Sequence, residues 1–224
     1  MLKTTLALIQ KDLTIEWRQK YAIGGIFLYV LATAYLIYIF LAQQSLNDKI
    51  EYRLWMVLFW MTILFTAVNA IAKSFSQEDQ KRQLYYYTIV SPQAVILSKM
   101  IYNFFLMILL SVLCALVFLL IIGNPVQNMG VFFLGILAGG SGFSFVLSMI
   151  SAIASKAEQN TTLMAILGFP VILPFLMLLQ KAVSKAFIIG FDNKELLQDF
   201  AVLFALDILL ISLSLILFPY LWKE

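Results

Sequence analysis

The sequence predicts an all-α integral membrane protein. It reads as a six-transmembrane-helix bundle with an N-terminal interfacial amphipathic helix and a short cytoplasmic helix between the second and third spans. Three observations carry this. Of 224 residues, 62% are hydrophobic and 12% charged, where soluble domains hold about 45–50% apolar and about 25% charged residues. A soluble protein of this size has too little interior to hide so much hydrocarbon. Six segments, 22–42, 54–72, 100–122, 129–154, 161–180 and 200–222, are each long and apolar enough for the ~20 residues that cross a hydrocarbon core. Backbone polar groups in lipid have to be satisfied within the segment, so each span reads as a helix. The spans consume the chain, which reads as a single membrane domain over 1–224 with no room for a soluble catalytic one.

The opening stretch, MLKTTLALIQKDLTIEWRQK, does not read as a signal peptide. Lys3, Lys11, Asp12 and Glu16 interrupt its apolar residues, and no small-residue cleavage site follows. Leu2, Leu6, Ile9, Leu13 and Trp17 recur instead at spacings of three and four, which predicts an amphipathic helix over 1–21 lying along the membrane surface.

Lys and Arg counts in the short loops give the orientation. With the N-terminus inside, the inner segments hold Lys3, Lys11, Arg18, Lys20, Lys73, Lys81, Arg82, Lys99, Lys156 and Lys223. The outer ones hold Lys49, Arg53, Lys181, Lys185 and Lys194. The imbalance predicts that both termini are cytoplasmic.

Within the spans a few residues stand out. The fourth, GILAGGSGFSFVLSMISAIAS, is dense in Gly, Ser and Ala, with Gly139 and Gly140 at its centre; it suits close helix packing, self-association or a substrate-facing surface. The fifth holds Gly168, Pro170 and Pro174, and each proline removes a backbone hydrogen bond, so a kinked or broken helix is expected. Asp207 is the one acid well inside a span. A carboxylate in lipid costs about 2.5–3.5 kcal/mol, which makes Asp207 a functional candidate by default. It is placed about two turns from the outer end of its predicted helix, within reach of water. The stretch LQKAVSKAFIIGFDNKELLQDF, outside the membrane, reads as a short amphipathic helix or hairpin at the interface.

Much chemistry is excluded. There is no histidine, hence no His-ligated zinc or haem and no imidazole base, and no metal site is expected. The one cysteine, Cys114, lies in an apolar run, so no internal disulfide forms. A net charge of +3 without a basic block outside the spans gives no sign of nucleic acid. No G-x-x-x-x-G-K-[ST] occurs, so the chain has no P-loop of its own. No base flanks the serines, and adjacent carboxylates such as Glu78 and Asp79 diverge on a helix.

The most polar stretch is FSQEDQKRQLYYYTIVSPQAVILSK, residues 75–99. A helix is predicted over 77–90. Glu78 and Asp79 fall in its first turn, where the helix dipole favours anions. Leu84, Tyr87 and Val90 make an apolar edge, and Lys81 and Arg82 keep it soluble. Ser91 then reads as an N-cap and Pro92 as the first residue of a new helix running into the third span. The residue before proline avoids the α region, so the corner is rigid.

These residues resemble a family. In permeases of the ABC-2 type, a cytoplasmic segment between the second and third spans carries an acidic pair, a leucine-rich run ending in Ser-Pro, and a Lys before the third span. Here they are Glu78-Asp79, Leu84 to Val90, Ser91-Pro92 and Lys99. The N-terminal Lys11, Asp12, Leu13, Glu16 and Arg18, the small-residue fourth span and the proline-bearing fifth resemble most the haem-exporter B subunits of cytochrome c maturation, the CcmB family. LYYYTIV departs from the usual leucine-rich run.

The resemblance implies the permease subunit of an ABC transporter complex in the bacterial inner membrane. A separate ATPase would dock on the coupling segment 75–92 through Glu78, Asp79, Arg82, Leu84, Tyr87, Ser91 and Pro92, and ATP would be bound by that partner. Other cytochrome c maturation membrane subunits, a haem chaperone and a second copy of the chain are the further implied partners. Haem is the implied substrate class; ATP-driven release of the loaded chaperone is the equal alternative, and no cofactor is expected to reside in this chain. Another ABC-2 exporter, of drugs or polysaccharide, and a non-transport assembly scaffold are the competing readings.

Overall fold

The computed structural model describes residues 2–18, 20–43, 51–76, 90–156 and 161–223. They form α1 (Leu2–Arg18), α2 (Lys20–Gln43), α3 (Tyr52–Ser76), α4 (Pro92–Ile121), α5 (Met129–Lys156), α6 (Thr161–Ser184), a 3-10 turn (Lys185–Phe187) and α7 (Asn193–Lys223). The class is the expected one, all-α. Five helices are long and apolar enough to cross a membrane, over Tyr52–Ile71, Pro92–Ile121, Met129–Ala154, Ile166–Phe187 and Asn193–Tyr220. In α2 the apolar stretch is shorter, Gly24–Phe40. The outer surface is apolar: Leu28, Leu36, Leu120, Met177 and Ile208 are all exposed. With large apolar side chains turned outward along its described helices, the chain is a multi-pass membrane protein.

Local chemistry sets the helix ends. α4 ends where Gly123 takes φ +112, a left-handed conformation that glycine adopts without a side-chain penalty. The side-chain carbonyl of Asn128 accepts a bond of 3.2 Å from the Val131 N–H and caps α5. Ahead of α7, Asp192 Oδ1 accepts from the Lys194 N–H at 2.9 Å. The carbonyl of Ala186 accepts from both Gln127 N–H and Asn128 N–H at 2.9 Å, which ties the α4–α5 turn to the 3-10 turn.

The helices alternate in direction. One end of the bundle gathers Tyr52, Trp55, Phe118, Phe132 and Phe187, with ring centroids 5.6–5.9 Å apart for Trp55 and its three phenylalanine neighbours there. At the opposite end Ser151 Oγ donates to the Ile71 carbonyl at 3.4 Å, and Leu8 of α1 joins Val95, Ile96, Met100, Ala152 and Phe218.

α5 is the hub, packed against α3, α4, α6 and α7. Its glycines admit bulk from neighbours. A Cβ built at Gly135 would lie 2.5 Å from a methyl of Val183, one at Gly139 would lie 2.5 Å from the Trp60 indole, and one at Gly142 would overlap the Phe175 ring. Spaced four and three apart, these glycines share one face, into which α3 and α6 press their rings.

The structure removes one alternative from each of two expectations and moves one boundary. The fifth span is not broken: α6 is continuous through Pro170 and Pro174, both exposed. Four residues apart, they place their missing N–H groups on one edge, away from the packed side. The outer stretch takes the hairpin form of the two expected, with α6 running into a turn at Gly190, φ +85, and the last span is the one moved, since α7 begins at Asn193 rather than 200.

Gly142→Leu forces a side chain into the space of Phe175 and is expected to destabilise by about 1–3 kcal/mol, the ordinary cost of overpacking. Gly24→Leu, on open surface, is expected to be neutral. Thermal unfolding of both variants in detergent checks the pair, and equal midpoints would show that α5 is loosely packed.

Candidate functional site

The predicted helix 77–90, with Glu78, Asp79, Arg82, Leu84 and Tyr87, lies outside the described residues. The corner that follows it is described. Ser91 has extended backbone (φ −67, ψ 137) and Pro92 is the first residue of α4. The position is as the sequence predicts, but the Ser91 hydroxyl makes no capping bond. Ser91 is exposed, and the corner is held by backbone: its carbonyl accepts from Ala94 N–H at 2.9 Å and Val95 N–H at 3.3 Å, while the proline ring fixes φ. α4 then runs without interruption from the corner to Ile121.

Two turns into α4 the structure unites motif residues that the sequence shows far apart. Lys99 Nζ lies 3.1 Å from Asp12 Oδ2, and Lys11 Nζ lies 3.2 Å from Asp12 Oδ1. Asp12 and Lys99 are buried. α1 presents Thr5, Leu8 and Asp12 to the bundle, while Leu6 and Leu13 of its apolar stripe stay exposed.

A second polar feature runs along α5. Ser141, Ser144, Ser148 and Ser151 recur at spacings of three and four and so share a face, and all are buried. Each reaches a different backbone or side-chain partner. Ser144 Oγ donates to the Met100 carbonyl at 3.1 Å, Ser148 Oγ accepts from Asn103 Nδ2 at 2.8 Å, and Ser151 meets α3 as described. Ser141 Oγ lies 2.5 Å from Asp207 Oδ2 and 3.0 Å from the Ala138 carbonyl. Hydroxyls on a small-residue helix therefore bind α5 to α3, α4 and α7 where hydrocarbon offers no other partner.

Asp207 is thus not near the outer end of its helix. Because α7 starts at Asn193, Asp207 sits 14 residues in (193 to 207), or about 21 Å at 1.5 Å per residue. That is the midpoint of the apolar span Asn193–Tyr220, and the residue is only 4% exposed. Its Oδ1 has no hydrogen-bond partner among the described residues. The other candidates are spread around this seam. Gly139 faces Trp60 and Leu179, and Gly140 faces Ile108. Pro174 lines an apolar crevice with Val146, Phe175 and Leu210, between α5, α6 and α7. Pro170 lies elsewhere on the exposed surface.

Sequence reasoning missed a network beside the hairpin. Asp199 takes Lys185 Nζ at 2.7 Å and Lys181 Nζ at 2.9 Å, joining α6 and its 3-10 turn to α7. The signal was present as lysines and acids on either side of Gly190, but only the fold pairs them.

A model of the CcmB protein family matches residues 3–220. The chain belongs to the CcmB family. A search of the curated proteins found no match. The CcmB family comprises membrane components of the haem exporter system of cytochrome c biogenesis, subunits without catalytic chemistry of their own. The match includes Asp12, Ser91-Pro92, Lys99 and Asp207, so the corner, the buried ion pair and the intramembrane acid all lie within the family's region.

The Ser141–Asp207 contact is testable by a double-mutant cycle. Ser141→Val strands the carboxyl and is expected to cost about 1–3 kcal/mol, as for a buried polar group left unpaired. Asp207→Leu in the same chain is expected to return most of that loss. The unfolding midpoint in detergent reads both, and a neutral Ser141→Val would show that the contact holds nothing.

Proposed function

We propose that this CcmB-family chain is the permease subunit of an ABC-type complex for cytochrome c maturation, driven by a separate ATPase that docks on residues 75–92. The observation that carries the reading is the Ser91–Pro92 corner. A polar segment with an acidic pair leads into a proline-fixed turn, and the same rigid helix continues from that turn through the membrane. Displacement of the segment by a partner becomes displacement of α4. The chain has no P-loop, so the energy source has to be external.

In this reading α2 is a sixth membrane span, α1 lies along the cytoplasmic surface with Leu6 and Leu13 toward the bilayer, and both termini are cytoplasmic in the bacterial inner membrane. The Lys and Arg distribution supports that orientation. The subunit works beside other cytochrome c maturation membrane subunits and a haem chaperone, as one of two copies. Haem is its substrate class, moved through the complex or carried off by the chaperone that ATP hydrolysis releases. With no histidine, the chain does not clamp haem iron through imidazole.

Pro92→Ala and Glu78→Lys are each expected to leave membrane insertion intact while the amount of haem attached to c-type cytochromes falls. Gentle purification of the tagged chain from its own membranes, followed by mass spectrometry, supplies the second readout. A P-loop ATPase recovered with haem-handling membrane subunits is the expected result. An ATPase without those subunits would point to another exporter, and its absence even after cross-linking would end the permease reading.

A further inference from the structure

The end of the bundle at which α1 lies has a core of its own. Leu8, Val95, Ile96, Met100, Ala152 and Phe218 form a cluster separate from the main one, and it gathers α1, the first turns of α4 and the last turns of α5 and α7. Charge is built into this apolar setting. Asp12 lies between Lys99 Nζ at 3.1 Å and Lys11 Nζ at 3.2 Å, and the side chains of Asp12 and Lys99 are 7% and 6% exposed.

Stability alone does not account for such a pair. Desolvating two charges offsets much of their attraction, and well-packed apolar residues in the same volume are often as stable or more so. What a buried pair adds is register. Apolar side chains slide past one another at little cost, whereas an ammonium and a carboxylate in a dry setting fix one alignment of the two helices.

Position gives the register a use. Lys99 is 7 residues beyond Pro92 (92 to 99), about 10 Å along an unbroken helix. A shift at the Ser91–Pro92 corner therefore arrives at Lys99 with α4 still rigid. On the other side, α1 ends at Arg18 and α2 begins at Lys20, so a pull on Asp12 reaches α2 directly.

We infer that Asp12 and Lys99 are a positioning pair that carries movement of the docking corner from α4 into α1 and α2. This rests on the docking reading above. α1 is then part of the moving unit and not a passive anchor.

Two double variants test it in native membranes, with the whole complex present. Asp12→Leu with Lys99→Met keeps the packing and removes the charges. Asp12→Lys with Lys99→Asp exchanges them. Membrane abundance, ATPase recovered with the tagged chain and haem attached to c-type cytochromes are measured for each. The apolar variant is expected to match the parent in abundance and in recovered ATPase, yet to lose haem attachment by about tenfold, an ordinary coupling energy. The exchanged variant is expected to recover at least about a third of the parent's haem attachment. Normal haem attachment in the apolar variant would overturn the inference and leave the pair a staple. Loss of both variants from the membrane would overturn it too, because the pair would then serve folding alone. If the parent chain brings down no ATPase, the docking reading itself falls, and this inference with it.

Discussion

Everything in the bundle depends on how closely four helices approach α5. Lipid tails are as apolar as leucine, so helices in a bilayer gain nothing from burying hydrocarbon against each other; they associate through van der Waals fit and hydrogen bonds. Fit here means glycine against rings. Gly135, Gly139 and Gly142 leave room that Val183, Trp60 and Phe175 fill from α6 and α3. The opposite face of α5 carries hydroxyls, which reach carbonyls and side chains on α3, α4 and α7. One helix thus offers shape on one side and polarity on the other. A bulky residue on either face would separate the helices that meet there.

Three aspartates show how the same side chain is accommodated at different depths. Asp199 lies beside the hairpin between Lys181 and Lys185, with partial access to solvent. Asp12 lies at the other end of the bundle and is buried against Lys99. Asp207, at the midpoint of α7, has no cation in its described surroundings and meets a serine instead. Near the ends a carboxyl group is tolerated by pairing with lysine, with a solvent-exposed partner for Asp199 and a buried one for Asp12. At the centre it is tolerated by a hydroxyl on the most tightly packed helix.

How much of this the sequence disclosed follows from the range of each signal. The long spans were legible because hydropathy is summed over some twenty residues and survives local exceptions. The corner was legible because Ser-Pro acts on its own backbone. The start of α7 was not, since Lys194, Glu195 and Asp199 read as part of a separate outer helix or hairpin until the fold sets Lys181 and Lys185 against the two acids. That misreading moved Asp207 from the middle of its helix toward the end. The continuity of α6 was equally hidden: proline predicts a lost hydrogen bond, but whether the helix breaks depends on which side the gap faces. Asp12 and Lys99 each appeared in a motif, yet nothing local links residues so far apart in the chain. What the sequence could not show in each case was a partner on another helix.

The chain belongs to a family of non-catalytic membrane subunits, so its mechanics bear directly on what it contributes. For mechanics, the distribution of stiffness matters more than any one side chain. α5 is held on four sides by interlocking rings and hydroxyls, so it is the least free to move. α2 is held more lightly, with most of its described apolar surface outward, and the described contacts of α1 with the bundle include the cluster at Leu8 and the Asp12–Lys99 ion pair. A push entering at Ser91–Pro92 meets both kinds of contact along α4. On the docking reading, the serine seam resists it and the Asp12–Lys99 pair follows it. Motion then divides at α4, with α5 as the fixed frame and α1–α2 as the part that turns.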